Sequence, residues 1–591
     1  MTSMKNKLWF LLVGIVWMTT SCQDLIDPAI ENIQGREDML ERPRLAQGLL
    51  INAYLRIPTN GWSFSEMATD DAVSNEPSNG FLNMATGQWA SNNNPVAQWT
   101  GAQSAIQYLN VMLEDVDSVD FAADPIVNEM FVDRLKGESY GLRALFMYYL
   151  LQAHGGMADG QLLGVPILAE SQNVESEFNL PRNTFEECMA QLYADAERAL
   201  DLLPMDLGNI TDPYLIPSKY ADQGAETGQY NRVFGDDAIQ LVSGRIVRAV
   251  MAQAALLAAS PAFNPNGDVQ KWQAAADHAA SILNTIGGVS GLAPNGVTWF
   301  TNTDELNSLG GGVNPAEILW RTSIGPSNNL ETDNYPPTLF GNGLINPTQN
   351  FVDAFPMANG YPVNSPESGY DPQNPYAGRD PRLNHFVVVN GSTAGPNNSV
   401  ITTAADGGTN DALNRVETST RTGYYLRKLL RQDVNLNPNS TNQQVHVKPR
   451  IRYTEIFLIY AEAANEAYGP TGTGAAGYSA YDVIKAIRQR AGIGLENGDP
   501  YLESVKSDQA AMRQLIRNER RLELSFEGFR FWDLRRWDAD LTETAEGIYI
   551  EEGEHEVTDV ENRVYSDYMI YGPVPYSETL KFSELKQNTG W

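Results

Sequence analysis

The sequence has little of what catalytic and metal chemistry depend on. Its 591 residues include only two cysteines and five histidines. A disulfide framework is therefore excluded, and no paired-histidine spacing or HExxH stretch offers a zinc site. A GxSxG nucleophile elbow is absent as well. Positive charge is scarce: 41 Lys and Arg stand against 73 Asp and Glu, a formal balance of −32. Nucleic acid and anionic membrane faces are poor partners for such a surface, because both select basic patches. Long apolar runs are missing too. The N-terminal run Leu8–Met18 (LWFLLVGIVWM) rises only about 16 Å as a helix, too short for a hydrocarbon layer of about 30 Å.

A short apolar run behind Lys5 and Lys7 and before small residues is an export signal. Thr19-Thr20-Ser21 leads into Cys22, the arrangement of a lipoprotein processing site, although an apolar residue is usual where Thr19 stands. Residues 1–21 are expected to be removed and Cys22 to be lipidated, anchoring the chain to a membrane. Several buried alkyl chains are what stable anchoring needs. Residues 22–34 then read as a tether. Cys188 lies on the apolar face of FEECMAQLYADAERAL and is expected to be buried and inert.

What is present is a globular composition, 42% hydrophobic and 19% charged, with helical periodicity over much of its length. Leu142, Leu145, Phe146, Tyr149, Leu150 and Ala153 keep the i, i+3, i+4, i+7 spacing of a helix ended by Gly155-Gly156. Thr184 with Glu187 predicts a capping box for the next helix, which Pro204 closes. Further helices are predicted over about 36–56, 101–118, 236–259 and 269–285. Near the C-terminus they are expected around 456–467, 478–491 and 507–524. Small residues among large ones in these stripes predict closely paired helices of tetratricopeptide type. No clean 34-residue period is visible, so the array is irregular. The fold class expected is mainly α. Residues 35–285 form an N-terminal helical region carrying loops at 57–100, and 451–591 form a C-terminal helical region. The segment between them, 286–450, is rich in Gly, Pro and Asn with short strand-like pieces at 317–324 and 385–391. It is too long for a passive linker and reads as a loop-rich subdomain.

Eleven Trp and 26 Tyr set among loop amides are suited to sugars, whose C–H faces stack on rings while amides meet hydroxyls. Trp89, followed by Asn92, Asn93 and Asn94, is the leading candidate. Trp62 sits in a comparable loop, whereas Trp99 is assigned to packing at the start of a helix. Trp320 ends a strand-like piece, and Trp299-Phe300 suit either core or rim. Tyr335, before Pro336-Pro337, is loop-borne. Asp70-Asp71 and the Glu331/Asp333 pair are the best loop-borne acids, suited to sugar hydroxyls or simply solvated. No cofactor is expected. A structural calcium stays open, without a DxDxDG-type loop to support it. The Arg/Glu cluster from Arg517 to Arg536, interleaved with Phe526, Phe529, Phe531, Trp532 and Trp537, reads as structural: aromatic anchors with partly buried bidentate pairs.

Seven ordered segments resemble the SusD/RagB family, surface lipoproteins of Bacteroidetes nutrient-uptake systems. The resemblance is strongest in RYTEIFLIYAEAANEAYG (452–469), VIKAIRQRAGI (483–493) and IRNERRLELSFEGFRFWDLRRW (516–537). It extends through GESYGLRALFMYYLLQAHGG (137–156), INPTQNFVDAF (345–355), NPYAGRDPRL (374–383) and the ending at Gln587-Asn588. It implies tetratricopeptide-like helix pairs beneath an irregular ligand-binding face, and a SusC-like TonB-dependent transporter as partner. With Asp24 and Asp27 soon after Cys22, it implies the outer face of the outer membrane. The function expected is non-catalytic capture of oligosaccharide or polysaccharide for that transporter. Peptide binding is the second reading and surface glycoside hydrolysis the third.

Overall fold

The computed structural model describes Leu40 and residues 42–309, 312–496 and 498–591. The signal segment, Cys22 and the tether therefore lie outside the described residues. Helix α1 (Pro43–Tyr54) opens on a proline at its first turn, seven residues later than the pattern alone predicts. Trp99 and Asp115 bound α2. The 30-residue α3 (Pro125–His154) is capped by Asp124, which accepts from the Ile126 and Val127 N–H groups. α4 (Phe185–Leu202) starts on the expected capping box of Thr184 and Glu187. α5 (Gly244–Ala259) begins later than its alanine-rich stretch, because the Ser243 side chain caps it and Asp236–Ala238 form a separate 3-10 turn. α6 (Val269–Leu283) completes the N-terminal half. In the C-terminal half, α7 (Tyr453–Tyr468) precedes α8 (Ala480–Ala491), which carries a Ser479/Asp482 capping box and ends at left-handed Gly492. α9 (Gln509–Glu523) and α10 (Arg530–Arg536) follow.

From α1 to α7, each helix packs on the next, and α7 also packs on α8 and α9. One core runs through the whole series, from Ala46 and Leu50 to Leu515 and Ile516. Two glycines on α3 permit its close neighbours. A Cβ at Gly137 would sit 2.5 Å from Leu203 Cγ, and one at Gly141 2.7 Å from Val242 Cγ1. Any larger residue there must push these elements apart. Among the described residues no helix is long and apolar enough to cross a membrane.

The strands are short and paired two by two among the described residues. β1 (Ala72–Ser74) pairs with β3 (Ile345–Pro347), β2 (Ile318–Arg321) with β4 (Pro449–Arg452), and β5 (Ala545–Glu551) with β6 (Glu554–Glu561). The first two pairs fasten segments far apart in sequence. A second core beneath them joins Trp299, Phe300, Phe351 and Phe386 to Leu522 and Phe526 beside α9.

The Arg/Glu cluster is structural, as its spacing suggests. Arg382 is fully buried and donates to Asp380, Glu519 and Glu523 at 2.7–2.9 Å. Arg488 takes the other Glu519 oxygen at 2.7 Å, and Arg490 the other Glu523 oxygen at 2.8 Å. Arg536 holds both oxygens of Glu462. Replacing Arg382 by Met should lower unfolding free energy by about 3–5 kcal/mol, because buried carboxylates lose their partner. Urea denaturation checks this, and a loss under 1 kcal/mol contradicts it.

Candidate functional site

Four sizeable clefts differ in chemistry. One of about 680 Å³ mixes small residues with the ion pair of Glu466 and Arg513. A second, about 530 Å³, is walled largely by apolar side chains such as Phe178, Leu180 and Phe582. A third, about 340 Å³, is lined by Asp353, Arg488, Tyr501 and Asn518. The fourth, also about 340 Å³, brings six aromatic rings together with three glutamine amides, more rings than any of the others. A sugar requires both, the rings for its C–H faces and the amides for its hydroxyls.

Each element brings something to this fourth cleft. The loop after α1 supplies Trp62, half-buried and stacked on Phe64 with ring centroids 5.7 Å apart. Phe64 adopts φ +50°, an uncommon left-handed turn for an aromatic residue, which bends the loop back on itself. α3 supplies adjacent Tyr148 and Tyr149, their centroids 5.3 Å apart, and Gln152, whose amide donates to the Tyr148 hydroxyl at 3.0 Å. Burial pushes the Tyr149 hydroxyl up to about 12, so it stays protonated and able to donate. From α5 comes Gln253, which donates to Glu455 at 2.7 Å while its buried Oε1 has no partner. Gln98 and Phe81 come from the 57–100 loops, Phe529 from the turn into α10 and Trp532 from α10 itself. Gly528 makes this turn fit: its φ is +88°, and a Cβ there would stand 3.3 Å from that of Ser63.

Lys448 and Arg450, before and within β4, complete the lining and extend into a small adjoining recess. The Lys448 ammonium lies 5.0 Å over the Trp62 ring, and the Arg450 guanidinium 4.5 Å over Trp320. Glu527 also lines the cleft, but Lys428 and Arg452 hold both its oxygens at 2.8 Å. Burial would raise the Glu527 carboxyl, yet Arg452 and Lys428 hold it below the ordinary range. Glu455, at the recess, is 2% exposed, and burial pushes it up to about 7.

Of the residues singled out from sequence, Trp62 alone lines this cleft. Trp89 does not present its ring: it is 4% exposed, edge-on to Phe531, Tyr565 and Trp591, with Arg535 over it at 4.9 Å. Its indole N–H is satisfied by Asn94 Oδ1 at 3.0 Å. Asn92 is exposed beside it. Trp320, at 1% exposure, donates to the Gln240 carbonyl and supports Arg450 from behind. Tyr335 is buried with its hydroxyl on the Arg431 carbonyl, and Glu331 is buried against His446. Asp70 and Asp71 are not solvated loop acids but buried partners of Arg521 and Arg530 at 2.5–2.8 Å. Against the pull of burial, those arginines hold Asp70 far below the usual carboxylate range. Trp299 and Phe300 belong to the core, as does free Cys188. Among the described residues no group of three or more His, Cys, Asp or Glu gathers to hold a metal ion.

Several lining residues escaped the sequence reading. Tyr149 falls in a helical stripe that reads as core, and Phe529 and Trp532 fall in the Arg/Glu cluster that reads as structural. A signal existed for the tyrosines. Consecutive helical residues point about 100° apart, so Tyr148 and Tyr149 cannot both face one core. Lys448 and Gln253 carried no such signal.

Comparison with known proteins adds the following. Residues 316–591 match a family model described as the SusD family, and residues 31–225 one described as starch-binding associating with outer membrane. The chain is 32% identical over 104 residues to SusD-like protein P38 of Formosa agariphila, and 35% identical over 86 residues to SusD-like protein P2 of that organism. These stretches span 17% and 15% of this chain, and only 19% and 16% of those relatives. A SusD-like protein of Bacteroides fragilis superposes with a TM-score of 0.70 at 22% identity, covering 96% of this chain and 100% of that one. A SusD-like carbohydrate binding protein of the same species gives 0.67 at 20% identity, covering 93% and 100%. Surface glycan-binding protein A from Bacteroides fluxus gives 0.56 at 16% identity, covering 93% and 99%. The fold is thus that of SusD-like proteins.

Trp89→Ala should cost about 3–5 kcal/mol of stability, the range for emptying a core aromatic site, whereas Trp62→Ala should cost about 1 kcal/mol or less. Parallel chemical denaturation separates the two. Equal losses would return Trp89 to the surface and contradict its packing.

Proposed function

Because the chain belongs to the SusD/RagB family, we propose that it is a non-catalytic cell-surface protein that captures oligosaccharide or polysaccharide and passes it to a SusC-like TonB-dependent outer-membrane transporter. The observation that carries the ligand class is the cleft of Trp62, Tyr148, Tyr149 and Trp532 beside Gln98, Gln152 and Gln253. Rings offer apolar faces to a pyranose or furanose, and amides both donate to and accept from its hydroxyls. A similar fold in proteins described as carbohydrate-binding and surface glycan-binding supports the same class.

The chemistry of the acids supports binding without turnover. Glycoside hydrolysis takes two carboxyl groups flanking the scissile bond, one free to donate a proton and one free to attack or to activate water. Here Glu455 is buried, and both Glu527 oxygens are engaged by cations. The family description, association with the outer membrane, supports the location. Lipidated Cys22 then supplies the anchor, and residues 22–34 a tether on which the body moves over the transporter.

Isothermal titration against a panel of plant, microbial and host glycans tests this reading. A glycan of the panel should bind, and Trp62→Ala should weaken it about tenfold, equivalent to ~1.4 kcal/mol. No reducing sugar should be released. Cys22→Ala should leave affinity intact while moving the protein from the membrane to the soluble fraction. Binding to peptides and to no glycan, or turnover of a bound glycan, contradicts the proposal.

A further inference from the structure

We infer that the ligand of the Trp62 cleft carries fixed negative charge, a carboxylate or a sulfate ester on the glycan, and that Lys448 and Arg450 select it. The inference rests on the glycan-binding reading and narrows it.

The observation is a pair of cations in the cleft lining that the protein's own carboxylates leave without an ion pair. Acids outnumber bases by 73 to 41, so carboxylates are plentiful. The cations near the cleft do find them: Lys428 and Arg452 bind Glu527, Arg452 and Arg490 bind Glu317, and Arg488 binds Asp499. Lys448 and Arg450, which line the cleft itself, do not. Among the described residues no carboxylate lies within ion-pair distance of either. The Lys448 ammonium reaches only the Pro449 carbonyl, at 3.3 Å. Arg450 donates to the Arg321 carbonyl at 3.0 Å and to Asn60 Oδ1 at 2.7 Å, both neutral acceptors, and its buried Nε has no partner.

Leaving two half-buried cations together is unfavourable. Both line the cleft and its adjoining recess, and they repel one another. Burial first and the neighbouring Arg450 second lower the Lys448 ammonium to about 8, against a smaller opposing pull from Glu527. The nearby acids do not relieve it. Glu527 is already shared between Lys428 and Arg452, and Glu455 is held by Gln253 with its acidity weakened by burial. An anionic group on the ligand supplies what the protein withholds.

The geometry places that group. The Lys448 ammonium stands over the Trp62 ring itself, so a sugar taking up this ring displaces or flanks the ammonium and brings its substituents beside both cations. Trp320 fixes the Arg450 guanidinium by stacking beneath it. A planar, fixed guanidinium matches the two oxygens of a carboxylate or sulfate, while a flexible ammonium adds charge without fixing direction.

The test uses matched polymers with the mature chain. One arm compares polygalacturonate with its methyl-esterified form, and other uronic-acid polymers with their carboxyl-reduced forms. The second arm compares sulfated galactans with the same polymers after desulfation. We expect an acidic polymer in one arm to bind at least tenfold more tightly than its neutral counterpart, and the responding arm identifies carboxylate or sulfate. Lys448→Met, which keeps the packing of the stem, should bring the acidic-to-neutral affinity ratio below threefold. Lys448→Arg should retain the difference. The wild-type selectivity is informative even if a variant folds poorly. Neutral polymers binding as tightly as acidic ones, with Lys448→Met without effect, overturns the charge inference but leaves glycan binding standing. Failure of every glycan to bind overturns both.

Discussion

Burying an ion costs several kcal/mol unless its partner is fixed in place and its remaining hydrogen bonds are met. In this protein five cations, Arg382, Lys428, Arg452, Arg488 and Arg490, share the carboxylates of Glu317, Asp380, Asp499, Glu519, Glu523 and Glu527. Arg382, Glu317, Asp380 and Glu519 have no measurable exposure. The carboxylates of α9 are thereby tied to the loop-rich segment before β4. A shift of either part by even 1 Å leaves charges uncompensated in a low-dielectric interior, where the penalty is steep. The irregular chain from 286 to 450 has few regular elements of its own and takes its place by this constraint. The cleft inherits its shape from it, because Glu527 belongs to the network and lines the cleft, and Arg452 lines the adjoining recess.

Much of the helical scaffold was legible in the sequence, because it depends on local rules. Periodicity, the Thr184 capping box and the glycines after α3 act within a few residues, and the structure places helices there. The structural role of the Arg/Glu cluster was legible for a related reason: a dense alternation of charges and aromatics has too few solvated positions for all of it. Ring exposure was not legible. Trp89 meets Phe531, Tyr565 and Trp591, all more than 440 residues away, and nothing in GQWASNNNP announces those neighbours. Asp70-Asp71 mislead in the same way, since Arg521 and Arg530 lie on the far side of the sequence. A loop position in sequence is only an address; burial is decided by what packs over it.

That distinction also explains why the two tryptophans of similar loops separate. Both follow turn-forming residues, and both have asparagine nearby. Trp89 is sealed by Trp591, whereas Trp62 stacks on Phe64 and lies beneath the Lys448 ammonium. A ring stacked on another ring and covered by a charged, movable group is preorganised for a ligand and can still exchange its neighbour. Preorganisation of this kind lowers the ordering cost that weakens most shape-based recognition.

A body of net charge −32 is an unexpected receptor for an acidic polymer, yet the two properties act over different distances. At physiological ionic strength the Debye length is about 8 Å, so most surface acids are screened from a ligand lying in the cleft. Lys448 and Arg450 sit in the cleft lining, where protein replaces part of the solvent and screening is weaker. The general acidity then repels polyanions from the rest of the surface and leaves the cleft as the place where a carboxylate or sulfate is favoured. Repulsion elsewhere contributes to selectivity as much as attraction at the site, since specificity is a difference between affinities. For a protein tethered at a membrane and handing its ligand onward, it also prevents an acidic chain from adhering along the whole body. Two cations without a carboxylate partner, set in the binding cleft of an acidic chain, thus make a local reversal of sign.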